Sequence, residues 1–138
     1  MDYQAFRDQL NHTPDFSRTL GLTVTSVECG KAETELPVLP EFRNPFCSVH
    51  GGILFTVADV TGGIAAYSYG SAVCTVDSSL HYLNAGLNTQ RLFASSAALK
   101  AGKRLIVVDV TVRDENGVLL CKGTFTYSKL NISADLPA

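Results

Sequence analysis

No lysine or arginine occurs between Arg43 and Arg91, so the centre of the chain offers no Lys or Arg to pair with an acid there. Apolar runs are short as well. None approaches the roughly 18 residues of a membrane-spanning helix, and the polar start MDYQAFRDQL lacks the basic and apolar regions of a secretory signal. The expected location is cytoplasmic, with no membrane partner. Basic excess is missing too: 11 Lys and Arg against 13 Asp and Glu give a net charge of −2. With no basic stripe, nucleic acid is not an expected partner. The four cysteines, Cys29, Cys47, Cys74 and Cys121, form no CxxC pair and no His/Cys cluster at zinc spacing, so no metal site is expected and free thiols are. Cys74 and Cys121 fall in apparent strands and are expected to be small core residues. A GxSxG elbow is absent, which removes the usual serine-hydrolase signature.

What is present fits one domain, 1–138. The chain is 46% hydrophobic and 17% charged, a composition that supports a core at this length. Tyr3, Phe6 and Leu10 predict a short amphipathic helix over 2–10. The alternation in TLGLTVTSVE predicts a strand, turned at CGK (29–31) into a second strand, AETELPV. Pro37, Pro40 and Pro45 mark a loop. From Gly52 onward, apolar residues cover most of a helical circumference, predicting a helix buried on nearly all sides. SAVCTVDSSLHYL, TQRLFASSAALKAG, KRLIVVDVTVRDENG and VLLCKGTFTYSKL read as four strands, the last two joined by a turn at Asp114–Gly117, and NISADLPA as a loose end. The pattern is α+β: an antiparallel sheet wrapped around one central helix.

The segment NPFCSVHGGILFTVADVTGG (44–63) carries the chemistry. It contains one carboxylate, Asp59, with no cation nearby in sequence. A carboxylate in an apolar cleft makes a general base or nucleophile; equally, it is a buried acid satisfied by backbone N–H groups. Gly51 and Gly52 follow His50 at the helix start, where unpaired N–H groups at the positive end of the dipole accept anions. Their small size also serves plain packing. Gly52 and Asp59 stand about 10 Å apart along one helix, too far for one reacting carbonyl, so a two-fold dimer sharing its sites is expected. His81 and Asp77 share a strand face with Thr75 by alternation, which keeps a histidine relay open.

These residues resemble the signature of hot-dog fold acyl-CoA thioesterases of the phenylacetate-pathway type, in which Asn, HGG and Asp recur at this spacing. CTVDSSLHYLNAG and LKAGKRLIVVDVTVRDENGVLLCKGTFTY extend the resemblance over nearly the whole chain. It implies a thioester hydrolase with Asp59 as general base or nucleophile. The Gly51 N–H, with Asn44 and His50, would polarise the carbonyl, and Thr75 would hold the attacking water. It further implies that Gly52, Tyr82, Leu83 and Asn84, and Lys100, Gly102, Lys103 and Arg104, line the coenzyme A groove. Read without the resemblance, Thr75 is an ordinary strand residue and the three cations are solvated charges. No cofactor is implied, coenzyme A being part of the substrate. The implied partner is a second copy, in a homodimer or dimer of dimers with shared sites. Competing readings are a non-catalytic acyl-CoA binding module and a dehydratase on the same fold.

Overall fold

The structure is a computed structural model and describes residues 1–133. Two helices, α1 (Tyr3–His12) and α2 (Phe16–Leu20), precede a hairpin of β1 (Thr23–Glu28) and β2 (Lys31–Pro37). A 3-10 turn over Pro40–Phe42 leads to the long helix α3 (Gly51–Tyr67), followed by β3 (Ser71–Tyr82), β4 (Arg91–Ala101), β5 (Leu105–Asp114) and β6 (Leu119–Ser133). The six strands form one antiparallel sheet in the order β1-β2-β4-β5-β6-β3, and α3 packs against all of them. This is the hot-dog architecture.

Alternating side chains build the core. Ile106, Val108, Val110 and Val112 of β5 and Cys121, Phe125 and Tyr127 of β6 are fully or almost fully buried, because successive strand residues point to opposite faces and only one face meets α3. Leu54, Val57, Ala58, Thr61, Ile64 and Ala65 answer from the helix at the 3–4 spacing that keeps side chains on one face.

Four local expectations are corrected. Leu20 belongs to α2 and not to the first strand, because Asp15 caps that helix by accepting from Arg18 N at 3.1 Å and Gly21, at φ 91°, ends it. The long helix is buried on one side only: Gly52, Thr56, Asp59, Val60, Gly63 and Tyr67 form a partly uncovered stripe. Cys74 is exposed, since β3 is an edge strand, whereas Cys121 is buried and burial pushes its thiol up to about 12. Residues 131–133 of the expected loose end continue β6; the rest of it, 134–138, lies outside the described residues.

The two sheet edges are treated differently. β1 is short, has a bulge between Val24 and Ser26, and is covered by α1. There the Asn11 carboxamide donates to Val24 O and accepts from Val24 N, both at 2.8 Å, taking the place of a neighbouring strand. β3 is twelve residues long and its outer edge carries no neighbour among the described residues, the arrangement that invites strand addition.

Gly123 fixes how closely β3 approaches β6. A Cβ there would lie 2.0 Å from Ser79 O and 2.7 Å from Leu80 Cα, both backbone atoms that no rotamer change can move. Gly123→Ala is therefore expected to destabilise the fold by about 3 kcal/mol, at the upper end of ordinary overpacking. The midpoint of urea unfolding measures this, and an unchanged midpoint would contradict the register.

Candidate active site

Asp59 sits on the uncovered stripe of α3. Its Oδ1 accepts from Thr75 Oγ1 at 2.8 Å, and Tyr127 OH lies 2.8 Å from Asp59 O and 3.2 Å from Asp59 Oδ1. Asp59 makes no ion pair among the described residues, and its Oδ2 receives no hydrogen bond from them. The structure thus answers the unpaired charge with two hydroxyls on one oxygen and leaves the other free. Thr75 and Tyr127 face each other across β3 and β6, which brings both hydroxyls to the same point of the helix. The cluster opens into a cleft of about 230 Å³ lined also by Val24, Val60, Ile64 and Val73.

The register of β3 removes the histidine relay from this cluster. A bulge lies between Thr75 and Asp77, and one extra residue reverses the facing of everything beyond it. Thr75 pairs with the inward Tyr127, whereas Asp77 pairs with Thr126 and His81 with Lys122 on the outer face. There His81 lines a groove with Asp109 and Lys122. Alternation alone placed Asp77 and His81 beside Thr75; the bulge overrides it.

A second group forms at the opposite end of β3. His50 caps α3, its Nδ1 accepting from Gly52 N at 2.8 Å, so the Gly52 N–H is occupied. Ile53 N and Leu54 N both reach His50 O. The Gly51 N–H alone among these first donors has no acceptor among the described residues. Tyr82 OH donates to Gly51 O at 3.0 Å, and Gly51, Tyr82, Leu83 and Asn84 line one shallow groove with Val49 and Gly86. Asn84 is fixed by donating from Nδ2 to Leu119 O at 2.8 Å. Asn44 holds its own loop together, accepting from Phe46 N and Ser48 N and donating to Ser48 Oγ at 2.7 Å. One of its two amide hydrogens is left for another acceptor.

Lys100, Gly102, Lys103 and Arg104 form the β4–β5 hairpin, closed by Gly102 N donating to Leu105 O at 2.8 Å. Ala101, Ile106, Tyr127 and Thr75 share one row across four strands, so this hairpin lies at the Asp59 end of the sheet. None of the three cations makes an ion pair among the described residues. The predicted residues therefore divide into two sets within one chain. Asp59 and Thr75 share an end with the cationic hairpin; Asn44, His50, Gly51, Gly52 and Tyr82–Asn84 gather at the other.

The family model for the thioesterase superfamily matches residues 47–121, the span that carries both sets except Asn44 and Tyr127. The chain belongs to the thioesterase superfamily. It is similar to the 1,4-dihydroxy-2-naphthoyl-CoA hydrolase of Listeria monocytogenes, with 31% identity over 75% of this chain and 85% of that one. It is similar also to the acyl-coenzyme A thioesterase PaaI of Escherichia coli, with 28% identity over 78% of each chain. The E. coli PaaI structure superposes with a TM-score of 0.86 over 91% of both chains at 21% identity. A Streptococcus mutans protein whose structure is bound to acetyl-CoA matches with a TM-score of 0.78 and 28% identity, over 86% of this chain and 94% of that one.

Tyr127 is the residue of this thioesterase that sequence reasoning missed. It stands 68 positions from Asp59 in a strand with no motif. The available signal was Gly62–Gly63. Two adjacent glycines inside a helix cost roughly 1 kcal/mol each relative to alanine, and here they make room for the phenol. A Cβ on Gly62 would lie 2.5 Å from Tyr127 OH and 3.1 Å from Val110 Cγ2. Among the described residues no group of three His, Cys, Asp or Glu is placed to hold a metal ion.

Burial and the adjacent Asp59 carboxylate push the Tyr127 phenol far above its ordinary value of 10. It thus remains a neutral donor wherever the protein is folded. The sign for stability follows: above about pH 10 the unfolded chain loses the Tyr127 proton while the folded chain keeps it, so stability is intact below pH 10 and declines as pH rises further. Tyr127→Phe is expected to remove up to about 1.4 kcal/mol per pH unit of that alkaline decline. At neutral pH it should cost about 1 kcal/mol for the lost hydrogen bond. Denaturant unfolding from pH 7 to 11 checks both, and parallel curves for the two proteins would contradict the buried neutral phenol.

Proposed function

We propose that this thioesterase hydrolyses acyl-CoA thioesters to a free acid and coenzyme A, with Asp59 as general base or nucleophile and the Gly51 N–H as oxyanion donor. The observation that carries the reading is the Asp59 carboxylate itself: one oxygen is fixed by Thr75 and Tyr127, and among the described residues the other receives no hydrogen bond and no cation pairs with it. As a base, Oδ2 takes a proton from water while the water oxygen attacks the thioester carbon. The tetrahedral oxyanion is then held by Gly51 N–H, and the C–S bond breaks as Asp59 passes the proton taken from water to the departing sulfur. As a nucleophile, Oδ2 attacks the thioester carbon and the C–S bond breaks to release coenzyme A as its thiolate. Water then cleaves the acyl–Asp59 anhydride, restoring the Asp59 carboxylate and freeing the acid while a proton of that water passes to the thiolate. Thr75 gives its proton to Asp59, so it serves the water as an acceptor. The reaction requires no metal or further cofactor.

Gly51 and Asp59 are eight positions apart on α3, about 12 Å at 1.5 Å per residue, and cannot meet one carbonyl from the same helix. A second copy resolves this. If the open edge of β3 pairs antiparallel with β3 of another subunit about an axis between Ser78 and Ser79, Thr75 of one copy comes opposite Tyr82 of the other. Each pairing then brings an Asp59–Thr75–Tyr127 cluster to a Gly51–Tyr82 groove. The unpaired cations Lys100, Lys103 and Arg104 lie at the Asp59 end and suit the phosphates of the nucleotide. CoA binding is supported further by the similarity to the Streptococcus mutans protein bound to acetyl-CoA.

Asp59→Asn retains the shape of the side chain and removes its basicity, so kcat on acyl-CoA substrates is expected to fall about 10²–10⁴-fold with the melting temperature nearly unchanged. Thiol release from an aromatic and aliphatic acyl-CoA panel measures it. Near-normal kcat would sink the assignment, and tight binding without turnover by the unaltered protein would favour the binding-module reading. Sedimentation at micromolar concentration is expected to show a dimer or a dimer of dimers, and an active monomer would remove the shared site.

A further inference from the structure

The cleft beside Asp59 contains a charged group that the hydrolysis does not use. Arg18 lines it together with Asp59 and Thr75. The Arg18 Nε is one of two buried side-chain polar atoms without a hydrogen-bond partner among the described residues, a rarity in folded proteins. Its guanidinium makes no ion pair with them. It is also held in place: Nη1 donates to Leu10 O at 2.9 Å and to Asn11 Oδ1 at 2.8 Å. The neighbouring Asp15 accepts from Arg18's own backbone N–H at 3.1 Å.

Position makes this arginine informative. It is carried on α2, the segment leading into β1, whereas Thr75 lies on β3. These strands are the two edges of the sheet, and the curled sheet brings Val24 of one and Val73 of the other into the same cleft. The uncovered stripe of α3 runs between them, supplying Val60, Gly63 and Ile64 as an apolar floor. An acyl group whose carbonyl sits at Asp59 and Thr75 would run along that floor toward Arg18.

We infer that Arg18 binds a hydrogen-bond-accepting oxygen at the far end of the acyl group, so that the preferred substrates are acyl-CoA thioesters ending in a hydroxyl or a carboxylate rather than a methyl. The inference rests on the reading of Asp59 as the reacting centre and adds the acyl class to it. A site whose buried donor is matched by the substrate rejects the analogue that leaves it unmatched. A carboxylate would use the charge of the guanidinium; a hydroxyl would accept from the guanidinium where Arg18 lines the cleft and donate to the Asp15 carboxylate.

The test uses three chains of matched length, hexanoyl-, 6-hydroxyhexanoyl- and adipyl-CoA, as thioesters for turnover and as non-hydrolysable thioethers for binding. In the unaltered protein at least one oxygen-ended chain is expected to exceed hexanoyl by about tenfold or more, in kcat/KM and in affinity. Which one leads identifies the oxygen. Arg18→Gln is expected to abolish that preference while hexanoyl-CoA turnover stays within about threefold. A purely structural role through Leu10 and Asn11 would lower all three substrates together and overturn the inference. So would a hexanoyl chain equal to or better than both others. If the Gln variant fails to fold, Arg18→Met, which keeps an apolar stem of similar reach and removes both the charge and the donors, is read by the same criteria. The thioether arm separates the two readings: ranked binding without hydrolysis of any thioester retains the Arg18 assignment and removes the hydrolase mechanism, whereas hydrolysis without ranking does the reverse.

Discussion

The approach of the Tyr127 phenol to helix α3 is the contact on which the rest of the structure depends. The strand and the helix come close enough for the hydroxyl to reach both Asp59 O and Asp59 Oδ1 only because residue 62 has no side chain. That spacing sets the depth of the helix on the sheet. It also holds the carboxylate with a donor that stays neutral, and Asp59 makes no ion pair among the described residues. A helix tolerates the weak propensity of Gly62–Gly63 because the ring buried over them returns apolar area and a hydrogen bond.

The same geometry accounts for the division of the candidate site. A helix running the length of the sheet carries its N-terminal donors to one end and Asp59 to the other, and β3 runs beside it with Tyr82 at the first end and Thr75 at the second. Each end is incomplete for chemistry at one carbonyl. β3 is also the long sheet edge left open, whereas β1 is short, bulged and covered by Asn11. The surface left uncovered and the residues left incomplete thus lie along the same strand. The cationic β4–β5 hairpin belongs to the Asp59 end by strand register, a relation invisible from its position in the chain.

The sequence was most legible where a pattern is local. Alternation gave β2 to β6 to within a few residues, and apolar crowding after Gly52 gave α3. Turn residues gave the β1–β2 hairpin, where Gly30 at φ 75° supplies the required backbone. It was least legible where tertiary contacts override the local signal. Leu20 joined a short capped helix, Cys74 fell on an edge, and the bulge after Thr75 turned Asp77 and His81 outward. One side of α3 stayed open although its composition reads as buried all round, since composition cannot say whether a neighbour comes from the same chain. For the candidate site, Asn44, His50, Gly51, Asp59 and Thr75 could be named from one segment and one strand; Tyr127 and Arg18 could not.

By itself, then, the sequence determined the architecture, the isolated acid and the helix start with its free donor, because hydrophobic period, residue type and glycine placement act within a few positions of the chain. The tertiary structure alone decided which groups touch that acid and which end of the sheet each candidate occupies. It alone also left a buried guanidinium nitrogen without an acceptor among the described residues. Those relations arise from strand register, a single bulge and the curling of two sheet edges toward one helix, and they join residues that the chain keeps tens of positions apart.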